Sequence, residues 1–213
     1  IKEIKKRLLP NKKQEEIVRI YPETENKTNK KFEELEMEVS LPLFAFGIKD
    51  IEENANKEEL VKKHIAIEIL LNMIIGKSSD AYKELYEKGK LLSEPDLDYE
   101  FSDEYAHILI SGQSTSPNEV KDKIENKIEE YKTNGINEED FNRIRKKVYG
   151  DYVVEYNNVG NIARMFLADK MKKINSFDYI EEYKNVTKEY TENVLKNVFK
   201  SENMIMSVIK SKK

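Results

Sequence analysis

The sequence predicts an α+β fold, a mainly antiparallel sheet packed with helices, and three observations carry that reading. "LEMEVS" and "EYAHILISG" alternate apolar and polar residues at period two. Between them lies a long helical pattern that is apolar on nearly every side. The second half of the chain is a series of capped helices closed by one more strand-like run, "NMIMSVIKS". Grouped strands and grouped helices, rather than a regular strand-helix alternation, are the mark of this class.

Each element follows in order. The first thirty residues are the least regular: "IKEIKKRLLP" reads as a helix end halted before Pro10, and "YPETENKTNKK" as a polar connector. The chain therefore divides into a lead-in linker and helix end over residues 1–30 and a single domain over residues 31–213. In "LEMEVS", Leu35, Met37 and Val39 fall on one face with Glu36 and Glu38 on the other, the pattern of a half-buried strand. After Pro42, "LFAFGIK" is an unbroken apolar run suited to a strand covered on both sides, and the two read as a strand pair.

Asn56 with Glu59 three residues on forms a capping box for the helix "KEELVKKHIAIEILLNMIIG". Its Leu60, Val61, Ile65, Ile67, Ile69, Leu70, Leu71, Met73, Ile74 and Ile75 point in almost every direction, so the helix must be enclosed. "LDYEF" and "EYAHILISG" flank Ser102-Asp103 as an antiparallel hairpin, with Ala106, Ile108 and Ile110 sharing one face. Ser116, Pro117 and Glu119 supply N-cap, N1 and N3 of a helix striped by Val120, Ile124, Ile128 and Tyr131. Asn137 caps the next, which carries Phe141, Ile144, Val148, Tyr152 and Val153. "NIARMFLADKMKKI", "FDYIEEYKNV" and the Thr187-capped "KEYTENVLKNVF" complete the helices.

Composition narrows the function. With 213 residues, 38% hydrophobic and 37% charged, the chain is long enough for one sizeable core. Its 41 acidic and 37 basic residues leave a formal charge of −4, and the lysines alternate with glutamates instead of forming a single-sign patch. Nucleic acid is therefore not an expected partner. No window approaches the roughly 18 uninterrupted apolar residues of a membrane span, so neither is a membrane. The absence of cysteine removes disulfides, thiolate nucleophiles and Cys-rich zinc sites together, and suits a cytoplasmic, reducing location.

Few side chains remain for chemistry. The two histidines are His64 and His107, and H-x-x-E-H occurs in no window. His64 and Glu68, four apart, lie on one helical face, half of a metal site in geometry; the simpler reading is a histidine at the start of a buried helix with a glutamate one turn on. His107, alternating with Tyr105 and Leu109, reads as a hydrogen-bonded sheet histidine. The seven glycines sit singly, so no phosphate-cradling loop forms, and no serine lies in G-x-S-x-G. Tyr149, Tyr152 and Tyr156 at helical spacing read as core and rim. No catalytic residue and no metal ligand set can be assembled from this chain.

One stretch is more specific. "GKSSDAYKELYEKGKLLSEPDLDYEF…YAHILISGQSTSP" resembles the second, non-zinc domain of the pitrilysin or insulinase-like zinc metallopeptidases, the family that includes the mitochondrial processing peptidase. Gly76, Ser79, Leu85, Glu87, Lys88 and Leu91, followed by "ILISGQSTSP", match a family pattern in which a long helix ends in glycine and small residues before a hairpin and a Pro-started helix. "RIYPETENKTNKKFEELEMEVSLPLFAFGIKD" resembles the lead-in strand pair, and the tail from "INEEDFNRIRKKVYGDYV" to "NMIMSVIKS" has the family's shape, so the likeness spans residues 18 to 210. Among relatives the chain most resembles bacterial zinc proteases encoded in pairs.

The resemblance implies two similar α+β domains in each half of the parent, zinc and a general base in the first, and two halves closing around a chamber. This chain would be the C-terminal, non-catalytic domain. It would have no cofactor of its own, with zinc in an N-terminal peptidase domain or paired subunit as its partner. It would supply chamber wall, domain interface and a strand edge for extended peptide substrate. The alternatives are a catalytically inactive partner subunit, or a protein-binding assembly module with no peptidase role. The family's peptide-holding arginine and tyrosine fall on Tyr86 and Ser93, which makes these two degenerate substrate-binding positions: Tyr86 cannot make a charged bidentate contact, and Ser93 offers one small hydroxyl.

Overall fold

The computed structural model describes residues 2–3, 20, 28–50, 56–102 and 105–212. The sequence-predicted helix end before Pro10 and most of the polar connector lie outside the described residues. Five strands form one sheet: β1 (Phe32–Met37), β2 (Leu43–Asp50), β3 (Asp96–Phe101), β4 (Ala106–Gln113) and β5 (Met204–Ser211). The helices are α1 (Lys57–Ile74), α2 (Asp80–Glu87), α3 (Pro117–Asn134), α4 (Glu138–Glu155), α5 (Val159–Met171), α6 (Asp178–Asn185) and α7 (Lys188–Val198). The spatial order of the strands is β1-β5-β2-β4-β3, and only the β1–β5 pair is parallel.

The α+β architecture with a mainly antiparallel sheet is therefore as the sequence predicts, and the β3–β4 hairpin forms. The predicted pairing of the first two strands does not. β5, from the far end of the chain, inserts between β1 and β2. Local periodicity identifies a strand but carries no information about a partner 170 residues away.

Alternation along the strands sorts the sheet into two faces. Phe44, Phe46 and Ile48 of β2, Ile108 and Ile110 of β4, Tyr99 and Phe101 of β3, and Met204, Met206 and Val208 of β5 are all buried on one side. Onto this side packs α1. All ten of its predicted aliphatic residues are buried, with no exposure above 8%. At about 1.5–3 kcal/mol per buried side chain it is the principal apolar element of the core. Helices α4, α6 and α7 pack on α1 in turn.

The caps form in part as the sequence predicts. Asn56 accepts from the Glu59 N–H at 2.8 Å, whereas the Glu59 carboxylate accepts the Tyr190 hydroxyl at 2.6 Å. Asn137 accepts from the N–H groups of Glu139 and Asp140, and Thr187 from that of Tyr190. Ser116 differs: its hydroxyl donates to the Glu119 carboxylate at 2.7 Å instead of accepting from the helix backbone. Among the described residues an ion pair is buried in the core, Lys63 Nζ to Asp50 Oδ2 at 2.8 Å, and the same carboxylate oxygen accepts the Tyr99 hydroxyl. It ties α1 to the ends of β2 and β3, and its extra hydrogen bond offsets part of the desolvation cost.

Candidate functional site

The segment 76–95 is built as a rigid connector. At Gly76 the chain leaves α1 so closely that a Cβ would stand 2.7 Å from the carbonyl oxygen of Asn72. Ser79 then caps α2 by accepting from the Tyr82 N–H at 3.1 Å. Ala81, Tyr82 and Leu85 are its buried side. α2 ends on Gly89, whose φ of +65° lets the Gly89 N–H reach Tyr86 O and the Lys90 N–H reach Leu85 O, the paired bonds of a Schellman stop. Beyond it Leu91 is buried and bridges to Ser114. Thr115 N–H and the Ser114 hydroxyl both donate to Lys90 O, so the segment is fastened to the end of β4 and the start of α3. Glu84, paired with Lys123 and with Lys88, has its carboxyl pulled down to about 2 by those hydrogen bonds.

Tyr86 and Ser93, the positions that the resemblance implies for substrate contact, fall on the outer side of this connector. Tyr86 is 54% exposed and stacks on Tyr82 with ring centroids 5.7 Å apart. Ser93 is exposed in the bend leading to β3. Tyr86 lies against an aromatic neighbour, and both side chains reach solvent.

His64 is a half-buried histidine at the edge of the core. Its Nδ1 lies 2.8 Å from the Tyr179 hydroxyl, and the rings of Tyr99, Phe101 and Tyr179 surround it at 5.4–5.7 Å. Burial, with a lesser contribution from the Lys172 charge, lowers its pKa to about 4, so the imidazole is neutral at pH 7. Glu68 accepts the Tyr183 hydroxyl at 3.0 Å and stands 3.6 Å from His64 Nε2. Burial raises its pKa to about 7, although 36% of its side-chain surface still meets solvent. His64 and Glu68 thus share a helical face as the spacing requires, inside an aromatic packing cluster. Among the described residues, no three His, Cys, Asp or Glu side chains come together as a group able to hold a metal ion. His107 is exposed, stacked on Tyr105 at 6.1 Å.

The feature that sequence reasoning missed is the second face of the sheet. In register, Leu35, Ile209, Leu43 and Gln113 lie in one row across β1, β5, β2 and β4. Ile205, Gly47, Leu109 and Asp98 form a parallel row, followed by Lys49, His107 and Glu100. Leu35 is 57% and Met37 50% exposed, and Leu43, Leu109, Ile205 and Ile209 are half-buried. Small residues, Ala45, Gly47, Ser111 and Ser207, occupy the middle and keep this face shallow. Toward the β3 edge it turns acidic, with Asp96, Asp98 and Glu100 in alternate positions. The alternation in "LEMEVS" is thus real, but Leu35 and Met37 project on the open side, so β1 is not half-buried as expected.

Comparison with known proteins fits this architecture. The family model described as "Peptidase M16 inactive domain" matches residues 4–148. The chain belongs to this family. An uncharacterized zinc protease of Bacillus subtilis (strain 168), YmfH, is 27% identical over 188 residues, which are 87% of this chain and 43% of that protein. An M16-like protein of Alicyclobacillus acidocaldarius superposes with a TM-score of 0.84 at 22% identity, over 91% of this chain and 46% of its own. A peptidase M16 inactive domain from Pseudomonas fluorescens superposes with a TM-score of 0.70 at 11% identity, again over 91% and 46%. These two structures share the fold. The chain thus spans less than half the length of the curated relative it matches.

Proposed function

We propose that this M16 domain is the non-catalytic C-terminal wall of a peptide-enclosing chamber in a zinc metallopeptidase, with the zinc and general base carried by an N-terminal domain or paired subunit. The observation that carries the reading is that, among the described residues, helices clothe one face of the sheet and none packs on the other. Its other face leaves Leu35, Met37, Leu43, Leu109, Ile205 and Ile209 in partial contact with solvent. A soluble protein gains nothing from a broad apolar sheet face unless something lies on it. A shallow, mostly neutral floor suits an extended chain, which brings its own backbone polar groups and alternating side chains. The terminal strands β1 and β3 offer edges where such a chain could add a strand. The lack of cysteine suits a cytoplasmic parent.

In this role the domain's own residues bind and orient, and perform no bond chemistry. Tyr86 and Ser93, at the family's peptide-holding positions, contribute contact surface without charge. The test is hydrolysis of an unstructured peptide by the full-length protein, alongside its zinc content. Leu109→Asp and Leu35→Asp are expected to raise KM at least fivefold with zinc stoichiometry unchanged. Unaltered kinetics in both variants would remove the open face from substrate contact, and a full-length protein without zinc or turnover would leave the inactive-subunit alternative standing.

A further inference from the structure

A second concave site lies in the helical layer. Between α4 and α6, a cavity of about 260 Å³ is lined by Arg145, Lys146, Tyr149, Tyr183 and Lys184. Both helices pack on α1, which covers the opposite side of the sheet from the open face, so this cavity is separate from the proposed chamber wall. Its floor is aromatic: the Tyr149 and Tyr183 rings meet at 5.4 Å and a 59° tilt, with the Tyr183 hydroxyl anchored on Glu68.

The rim is cationic and not neutralised. No ion pair joins Arg145, Lys146 or Lys184 to a carboxylate among the described residues. Of the nearby acids, Glu138 accepts from Asn142, Glu182 from Asn185, and Asp151 pairs with Lys147 at 2.7 Å, while Glu181, exposed three residues before Lys184, makes no ion pair with it. Arg145 is held in place by neutral acceptors, donating to Val186 O and to Asn142 Oδ1, both at 3.1 Å, with its guanidinium over the Phe141 ring. Two bonds use two of five guanidinium donors. A fixed guanidinium with spare donors, two flexible ammonium groups and an aromatic floor make a site for an anion carried on a flat apolar body.

We propose that this cavity binds a one-ring aromatic anion, a phosphate or carboxylate attached to an aryl group. The volume is below the roughly 300–1,000 Å³ of drug-sized sites and sets that limit. The ring packs against Tyr149 and Tyr183, and the anion meets Arg145, Lys146 and Lys184.

Titrating the chain with phenyl phosphate, benzoate, inorganic phosphate and benzyl alcohol, followed by amide chemical-shift mapping, tests the site. Phenyl phosphate or benzoate is expected to bind at least tenfold more tightly than inorganic phosphate and benzyl alcohol. Shifts should cluster at residues 145–149 and 183–186. Whichever aryl anion binds more tightly names the headgroup. Lys146→Gln with Lys184→Gln, at exposed positions, should weaken binding at least fivefold with an unchanged Tm, and Tyr149→Ala should remove the preference for aryl over inorganic anions. Equal binding of inorganic and phenyl phosphate, shifts spread over other lysines, or full affinity in the double-lysine variant would overturn the proposal.

Discussion

The two faces of the sheet are made by the same strands, one residue out of step, and they do different things. The covered face presents Phe44, Phe46, Ile48, Phe101, Ile108, Ile110 and Met206 to α1 and its neighbours, all nearly inaccessible to water. The open face presents Leu35, Leu43, Leu109, Ile205 and Ile209 between small and acidic residues, with much of their surface wet. One face holds the domain together. Among the described residues, the other leaves its apolar side chains partly wet.

The sharpest way to break this contrast is to cut into each face. Phe46→Ala should cost about 3–5 kcal/mol in chemical denaturation, the toll of a large side chain deleted from a filled core. Leu109→Ser on the open face should cost about 1 kcal/mol or less. Comparable losses in the two variants would mean that the open face is load-sharing within the chain.

A smaller effect is expected where the connector turns. Gly76→Ala places a methyl group against the Asn72 backbone and should lose about 1–3 kcal/mol, as overpacking does. Gly89→Ala meets open space but must hold φ at +65°, for about 1–2 kcal/mol. If Gly89→Ala were the costlier of the two, close approach would not be what fixes the exit from α1.

The pH dependence sharpens the covered side. Glu68 has its folded pKa raised to about 7, so its contribution is fully present below its unfolded pKa, near 4.5, and is lost as pH rises to 7. His64 is the reverse: with the folded pKa lowered to about 4, its contribution is present above 6.5 and lost as pH falls toward 4. The two slopes oppose each other between about pH 4.5 and 6.5. Glu68→Gln should therefore expose a rise of stability with pH across that window, and His64→Gln a fall. Midpoints of urea unfolding at half-unit steps of pH read both, and parallel profiles in wild type and variants would contradict the opposition.

The smallest effect concerns the degenerate pair. Tyr86→Arg with Ser93→Tyr places on the outside of the connector the side chains that the family resemblance implies for these positions. It should leave stability within about 0.5 kcal/mol and lower the peptide KM of the full-length protein a few-fold. An unchanged KM would separate these positions from the peptide path.

Much of this was legible in the sequence because the signals are local. The all-round apolar pattern from Leu60 to Ile75 marks a buried helix, and Asn56, Asn137 and Thr187 mark helix starts through bonds made within three residues. The alternation of Ala106, Ile108 and Ile110 found the covered face. What escaped depends on distant partners. Nothing near Phe32 says that Met206 will be its neighbour. Period two tells that Leu35 and Met37 share a side, but not which side receives helices. The aromatic-cationic cavity joins Arg145 and Tyr149 to Tyr183 and Lys184 from a helix some 35 residues on; helical spacing groups Tyr149 with Tyr152 and Tyr156 as core and rim but does not show its companions in the cavity. Tyr86 and Ser93 were located by resemblance alone.

The most direct test is photocrosslinking in the full-length protein, with benzoylphenylalanine placed at the half-buried Leu109 on the open face or at Val159 on α5, which is solvent-exposed. The expected result is transfer of label to a bound peptide from position 109 and none from position 159. Equal labelling from both positions, or labelling from 159 alone, would contradict a peptide-facing sheet.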